Sequence, residues 1–230
     1  MKTSVLIIAH NEEKHIKKCI SSILNQTQKP DEIVLITHNC TDKTVEIAKK
    51  YSITIIPFNG PTGIVSARIK GVESVTGDII LCTDGDSFVE KNWVEIMSKT
   101  LQENNNVLVG SWGKWKGTFV TILANPFNKY RRIRNKNLAR WIWGPSFAFY
   151  GKDKELVKNI YKKSIELSEQ LKLSRNPEDL WLALFMKKHG GLAVTNKTHV
   201  TIQLKEKNSI EAMKRNIENL RNGSKIGRFF

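Results

Sequence analysis

The sequence predicts an α/β domain built on a doubly wound, mostly parallel sheet flanked by helices, with a smaller mixed region after it. Three observations predict it. Apolar runs of strand length alternate with helical stretches in the order βαβαβ, and short joints connect them. The run Ile79 to Cys82, entered through Gly77, is apolar without a break, as a strand covered on both faces is.

In order, Ser4 to Ala9 is the first strand, and His10-Asn11-Glu12-Glu13 opens a helix with Asn11 as its N-cap. Ile16, Cys19, Ile20, Ile23 and Leu24 recur at i, i+3, i+4, i+7 and i+8, an amphipathic stripe that faces the sheet. Asn25 to Pro30 turns the chain, Glu32 to Ile36 is strand two, and Thr41-Asp42 caps a helix that runs through Lys50. Ile53 to Ile56 is strand three, stopped by Pro57, and a glycine-rich turn from Asn59 to Gly63 enters a helix over Ile64 to Ser74. After the central strand, Asn92 to Glu103 reads as an amphipathic helix and Val107 to Val109 begins another strand. Doubly wound sheets take ligands just beyond the carboxyl ends of their strands. His10-Asn11, Thr37-His38-Asn39 and Asp84-Gly85-Asp86 therefore meet at one edge.

Asp84 and Asp86 stand two apart with glycine between them where the central strand gives way to a turn. Both side chains can lean toward one point, which suits a hard divalent cation such as Mg²⁺ or Mn²⁺. Asp-Gly-Asp is also a plain acidic turn. Likewise, a glycine turn feeding a helix that carries Arg68 either holds phosphate oxygens or is an ordinary loop with a surface arginine.

The second half is less regular. Ser111 to Gly117 leads into Thr118 to Leu123, Asn125-Pro126 breaks the run, and Tyr130 to Lys136 interleaves aromatic with basic residues, Arg131, Arg132 and Arg134 among them. Such a segment fits a membrane interface, a nucleic-acid stripe, or a basic loop that packs Trp112 and Trp115 into the core. Trp143-Gly144 leads a turn and strand through Tyr150, and Lys152 to Leu173 is mostly helix. Asn176 as N-cap and Pro177 at the first helical position then start a helix whose first turn holds Glu178 and Asp179, where acids favour the helix dipole. His199 falls in a strand, and residues 205–230 read as a basic helix and a loose tail.

Composition bounds the class. With 230 residues and 40% hydrophobic content, the chain can bury a full core. Cys19, Cys40 and Cys82 are an odd number without metal-site spacing, which points away from zinc or a disulfide framework and toward a reduced, cytoplasmic setting. The N-terminal apolar run is too short for a signal peptide and no run reaches membrane-span length, so a soluble or peripheral protein is expected. Charge is lopsided: residues 111–230 hold 25 of the 37 Lys and Arg but 9 of the 22 Asp and Glu, a net +16 against −1 for residues 1–110. An anionic partner for the second half follows, or a lysine-rich solvated surface.

Taken together, Ala9-His10-Asn11-Glu12-Glu13, Ser22 to Thr27, Cys40 to Thr44, Ser66-Ala67-Arg68, Thr76 to Ile80 and Asp84-Gly85-Asp86 resemble the family 2 glycosyltransferases of GT-A fold. The resemblance implies a nucleoside-diphosphate sugar across the strand ends, touched by Ala9, Asn11, Glu12, Thr37, His38, Arg68, Asp84 and Gly85. It implies Asp86 as ligand of Mg²⁺ or Mn²⁺, with His199 as a late histidine that reaches the metal or diphosphate. Asp179 becomes the catalytic base of an inverting transfer, with Glu178 as its substitute, and Trp143 and Gly144 line the acceptor side. On this reading residues 1–110 are the donor half, 111–204 the acceptor half with the base helix, and 205–230 a basic appendage. The acceptor is a hydroxyl of a glycan or lipid-linked molecule in cell-surface polysaccharide or glycolipid synthesis, at the inner face of an anionic membrane; nucleic acid is not the expected partner. The family usually shows Asp-Asp-Gly-Ser-Thr-Asp after strand two, and here Thr37-His38-Asn39-Cys40-Thr41-Asp42 stands instead, so base preference is open. Asn137 to Trp141 is not the Gln-x-x-Arg-Trp element of processive synthases, since glutamine is missing and the segment precedes the acidic helix.

Two rivals predict different behaviour. A sugar-phosphate nucleotidyltransferase typically needs a glycine-rich activating loop after strand one, where His10-Asn11-Glu12-Glu13 stands. A non-catalytic basic module would bind anionic lipid or nucleic acid in a salt-sensitive way, indifferent to Asp86 and Asp179.

Overall fold

A computed structural model describes residues 1–61, 63–103, 105–116, 142, 144–173 and 176–203. Strand and helix alternate through the first half as β1 (Thr3–Ala9), α1 (Ile16–Leu24), β2 (Glu32–His38), α2 (Thr44–Ala48), β3 (Thr54–Phe58), α3 (Ile64–Ser74) and β4 (Ile79–Asp84). The second half adds β5 (Ser87–Val89), α4 (Trp93–Gln102), β6 (Asn106–Lys116), β7 (Phe147–Tyr150), α5 (Lys154–Gln170), α6 (Glu178–Met186) and β8 (Gly191–Gln203).

All eight strands join one sheet in the order β3-β2-β1-β4-β7-β6-β8-β5. The first four run parallel, as right-handed βαβ crossovers dictate. β7 then enters antiparallel between β4 and β6, and β5 pairs antiparallel with β8, so the mixed part lies on the β4 side of the sheet, away from β3. Residues of β1 and β4 divide by parity. Val5, Ile7, Ile79 and Leu81 pack with Ile16, Ile20, Trp93 and Met97 on the face of α1, α2 and α4. Leu6, Ile8, Ile80 and Cys82 pack with Val72, Ile160 and Leu182 on the face of α3, α5 and α6. A parallel strand buried on both sides has no polar phase, which is why Ile79 to Cys82 carries no alternation.

Several boundaries differ from the sequence expectation. Asn11 does not cap α1: it adopts φ 54°, and its Oδ1 accepts the backbone N–H groups of Thr41 at 2.8 Å and Asp42 at 3.3 Å. A turn intervenes, and the helix starts at Ile16. The Asn side chain tolerates the left-handed region, so it stitches two strand-end loops together rather than opening a helix. Pro57 does not stop β3, which continues to Phe58. Proline is accommodated because β3 is an edge strand, where a missing N–H costs no ladder bond. Pro177 is the N-cap of α6 rather than its first helical residue; its carbonyl accepts from Leu180 and Trp181. Asn176 bonds Ser164 Oγ instead at 2.8 Å.

Candidate active site

The sheet's switch point lies between β1 and β4, because the chain leaves β1 toward β2 on one side while β4 pairs on the other. Register sets Asp84 beside Ile8, and the Gly85 N–H donates to the Ile8 carbonyl at 2.8 Å. Glycine is required there by close approach. A Cβ on Gly85 would lie 2.9 Å from Ala9 Cβ and 3.2 Å from Glu12 Cγ. Ala9, Glu12, Asp84 and Gly85 are thus brought together as expected.

Arg68 rises from the second turn of α3 and lies 1% exposed beneath this edge. Its Nη2 donates to Asp84 Oδ1 and to the Gly144 carbonyl, both at 3.2 Å, and its Nε lies 3.8 Å from Glu178 Oε1. The Gly144 N–H in turn donates to Asp179 Oδ2 at 3.4 Å, while Asp179 Oδ1 accepts from the Leu180 N–H at 2.8 Å. Asp84 at the end of β4 and Glu178 at the start of α6 therefore face one another across a single guanidinium, although they are far apart in sequence. Phe147 lies under the cation, its ring centroid 5.4 Å from Arg68 Cζ. Phe147 was legible only as a core strand residue.

Burial, with the Asp86 and Asp179 charges adding to it, pushes the Asp84 carboxyl from the usual 3.8 up to about 6; the Arg68 guanidinium opposes that rise. The native state therefore holds the Asp84 proton more tightly than the unfolded chain. Ionising Asp84 costs stability as pH rises from about 4 to 6. A ligand that needs the carboxylate competes with that proton. Affinity for a cation-bound anion is expected to rise about fivefold from pH 5 to 6 and about twofold from pH 6 to 7, measured by calorimetric titration at those three values.

Asp86 Oδ1 accepts from Ser87 Oγ at 3.1 Å, and its backbone carbonyl accepts from Gln203 N–H at 3.0 Å, which ties the end of β8 to the acidic turn. Among the described residues no group of three His, Cys, Asp or Glu side chains forms a metal cage. Mg²⁺ and its like are commonly held by one or two carboxylates together with substrate phosphates, so an acidic turn of oxygen donors fits the implied cation without such a cage. His199 is placed elsewhere. It stands opposite Glu90 in the β5–β8 pair, its Nε2 2.7 Å from Glu90 Oε1. The Asp86 carbonyl meets Gln203 instead, four residues further along β8.

At the end of β2, Thr37 is buried, and its hydroxyl has no hydrogen-bond partner among the described residues. The His38 ring stacks on Phe58 with centroids 5.6 Å apart, and its Nε2 lies 3.0 Å from the Pro61 carbonyl and 3.1 Å from Asn39 Nδ2. His10 Nδ1 donates to the His38 carbonyl at 2.8 Å. These contacts fix the loop after β3 against the strand ends, so His38 is a held ring and not an exposed loop histidine. Trp143, Arg131, Arg132, Arg134 and residues 205–230 lie outside the described residues.

A half-parallel sheet with an acidic turn at its switch point and a mixed flank is the architecture of GT-A glycosyltransferases. The model of glycosyl transferase family 2 matches residues 4–161, and the chain belongs to that family. Glycosyltransferase GlyA of Streptococcus pneumoniae is 31% identical over 117 residues, 48% of this chain and 17% of that protein. Glucosyl-3-phosphoglycerate synthase from Mycobacterium tuberculosis, solved with Mn²⁺, UDP and phosphoglyceric acid, superposes with TM-score 0.60 at 21% identity, over 93% of this chain and 75% of that one. Mannosyltransferase PcManGT from Pyrobaculum calidifontis, solved with GDP-Man and Mn²⁺, gives TM-score 0.64 at 18% identity over 87% and 56%. At those identities the likeness is one of fold. The chain spans about half or less of the curated relatives it matches. Among the described residues no helix is long and apolar enough to cross a membrane.

Proposed function

We propose that the protein is an inverting, metal-dependent glycosyltransferase that moves a sugar from a nucleoside-diphosphate sugar to an acceptor hydroxyl. One observation carries this reading. Asp84 meets the Arg68 guanidinium directly and Asp179 is tied to it through the Gly144 peptide, which supports an acidic donor edge and a carboxylate base on one cleft.

Ala9, Asn11, Glu12 and Gly85 line the donor edge, with Thr37 and His38 at its base end and Asp84 toward the ribose. Asp86 would hold Mg²⁺ or Mn²⁺, with Asp84 beside it. When bound, that cation neutralises the diphosphate and serves as a Lewis acid toward the leaving oxygens. Asp179 takes the proton of the acceptor hydroxyl as that oxygen attacks the anomeric carbon. The bond from the anomeric carbon to the diphosphate oxygen breaks, the nucleoside diphosphate departs with the electron pair, and configuration inverts. Glu178 is 6% exposed against Arg68 Nε, which leaves Asp179 the better placed of the two acids. Gly144 borders the acceptor side.

The acceptor reading is a glycan or lipid-linked hydroxyl in cell-surface polysaccharide or glycolipid synthesis. The +16 charge of residues 111–230 supports an anionic membrane surface close by, on the cytoplasmic side. A thermal-shift screen of nucleoside-diphosphate sugars with and without Mn²⁺, followed by a donor-hydrolysis assay, tests the whole. Stabilisation by a donor only when the cation is present is expected; binding to anionic vesicles with no response to any donor would favour a non-catalytic module.

A further inference from the structure

We propose that Arg68 is a positioning residue that sets the carboxyl groups of Asp84 and Asp179 in register from beneath the cleft, without contacting the nucleotide. The proposal rests on the transferase reading for what those two acids do. The geometry stands independently of it. One nitrogen, Nη2, reaches both Asp84 Oδ1 and the Gly144 carbonyl at 3.2 Å. The Gly144 peptide then passes the constraint on, because its N–H donates to Asp179 Oδ2 at 3.4 Å. With Leu180 N–H on Oδ1 at 2.8 Å, each carboxyl oxygen of Asp179 accepts one backbone donor. The second link runs through Nε to Glu178, the residue that precedes the base on α6.

An arginine that gripped a donor phosphate would present its fork to the cleft. Here the residue is 1% exposed, with Phe147 under the guanidinium. Nη1 and Nε are both buried without a hydrogen-bond partner among the described residues, so neither is open to a ligand arriving from solvent. The planar guanidinium spans partners on three elements from fixed directions, whereas an ammonium is a point charge on a flexible stem. Gly144 is part of the device. Its backbone lies outside the positive-φ region, so glycine serves close approach: a Cβ there would sit 3.2 Å from Arg68 Nη2 and 3.7 Å from Asp179 Oδ2.

The test uses the full chain with the donor and Mn²⁺ selected by the thermal-shift screen, and the variants Arg68→Lys and Gly144→Ala. Turnover is read as release of nucleoside diphosphate, donor affinity by calorimetry, and geometry from the backbone amide resonances of Gly144 and Leu180. Both variants are expected to lose about 100-fold in kcat, the scale of an ångström-level misplacement, with donor Kd unchanged in Gly144→Ala and weakened far less than kcat in Arg68→Lys, where the Asp84 carboxyl shifts with the cation. Arg68→Lys is also expected to shift the Gly144 and Leu180 amides. A weakened donor Kd with kcat retained would make Arg68 a nucleotide ligand and overturn the proposal. Parallel losses of kcat, affinity and melting temperature in both variants would reduce it to a structural residue, which overturns it equally. Should the wild type turn over no donor, the transferase reading fails, while unmoved amides in Arg68→Lys would refute the coupling and shifted ones would uphold it.

Discussion

Asp179→Asn is expected to lower turnover by about 1,000-fold, within the range that a positioned general base contributes, and to leave donor affinity unchanged. The amide keeps the shape of the carboxylate, and its oxygen can still accept from the Leu180 N–H, so the start of α6 is retained. What is lost is the proton acceptor. Asp179 is held by the Gly144 and Leu180 N–H groups at the start of α6, whereas the donor edge is built on β4, so removing its charge does not remove a donor ligand. Parallel calorimetry and a nucleoside-diphosphate release assay measure the split. Retained turnover would assign the base elsewhere, and Glu178→Gln would then be the variant to compare.

Asp86→Asn is expected to act on the opposite quantity. A hard cation favours an ionised oxygen donor, and an amide oxygen offers a dipole in place of a charge. Loss of about 3 kcal/mol, near 100-fold in affinity, is expected for the nucleoside-diphosphate sugar in the presence of Mn²⁺. The cation-dependent rise in melting temperature should vanish with it. Chelation of the cation from the wild type should reproduce the variant. Unchanged donor affinity in Asp86→Asn would remove Asp86 from the cation site and leave the acidic turn as plain structure.

The donor half was legible because its signals are local. Stripes of Ile16, Cys19, Ile20 and Ile23 name a buried helix face, and an unbroken Ile79 to Cys82 names a central parallel strand. Acidic residues at a strand end could be assigned to an edge for the same reason. Asn11 misled the reading because one side chain chemistry serves two purposes: its amide can cap a helix or hold the backbone of a neighbouring loop, and long-range packing with Thr41 chose the second. Pro57 misled it because a strand's place in the sheet, edge or centre, is not written in the strand itself.

Arg68 was visible as a cation near a glycine turn, which suggested a phosphate contact. Its burial depends on Glu178, Gly144 and Phe147, which come from two later segments, and no spacing rule in α3 foretells that meeting. His199 shows the converse. A late histidine has the right chemistry for a metal, and only the antiparallel register with β5 sets it against Glu90.

Paramagnetic broadening by Mn²⁺ tests the central claim most directly, since it reports whether a cation-held donor and the base occupy one cleft. In the isotopically labelled full chain with the selected donor, adding Mn²⁺ should broaden the amide resonances of Gly85, Gly144 and Leu180, while those along the exposed side of α5, such as Ile165, stay sharp. Sharp Gly144 and Leu180 signals beside a broadened Gly85 would put the cation and Asp179 in separate places, and the proposed transfer could not occur there.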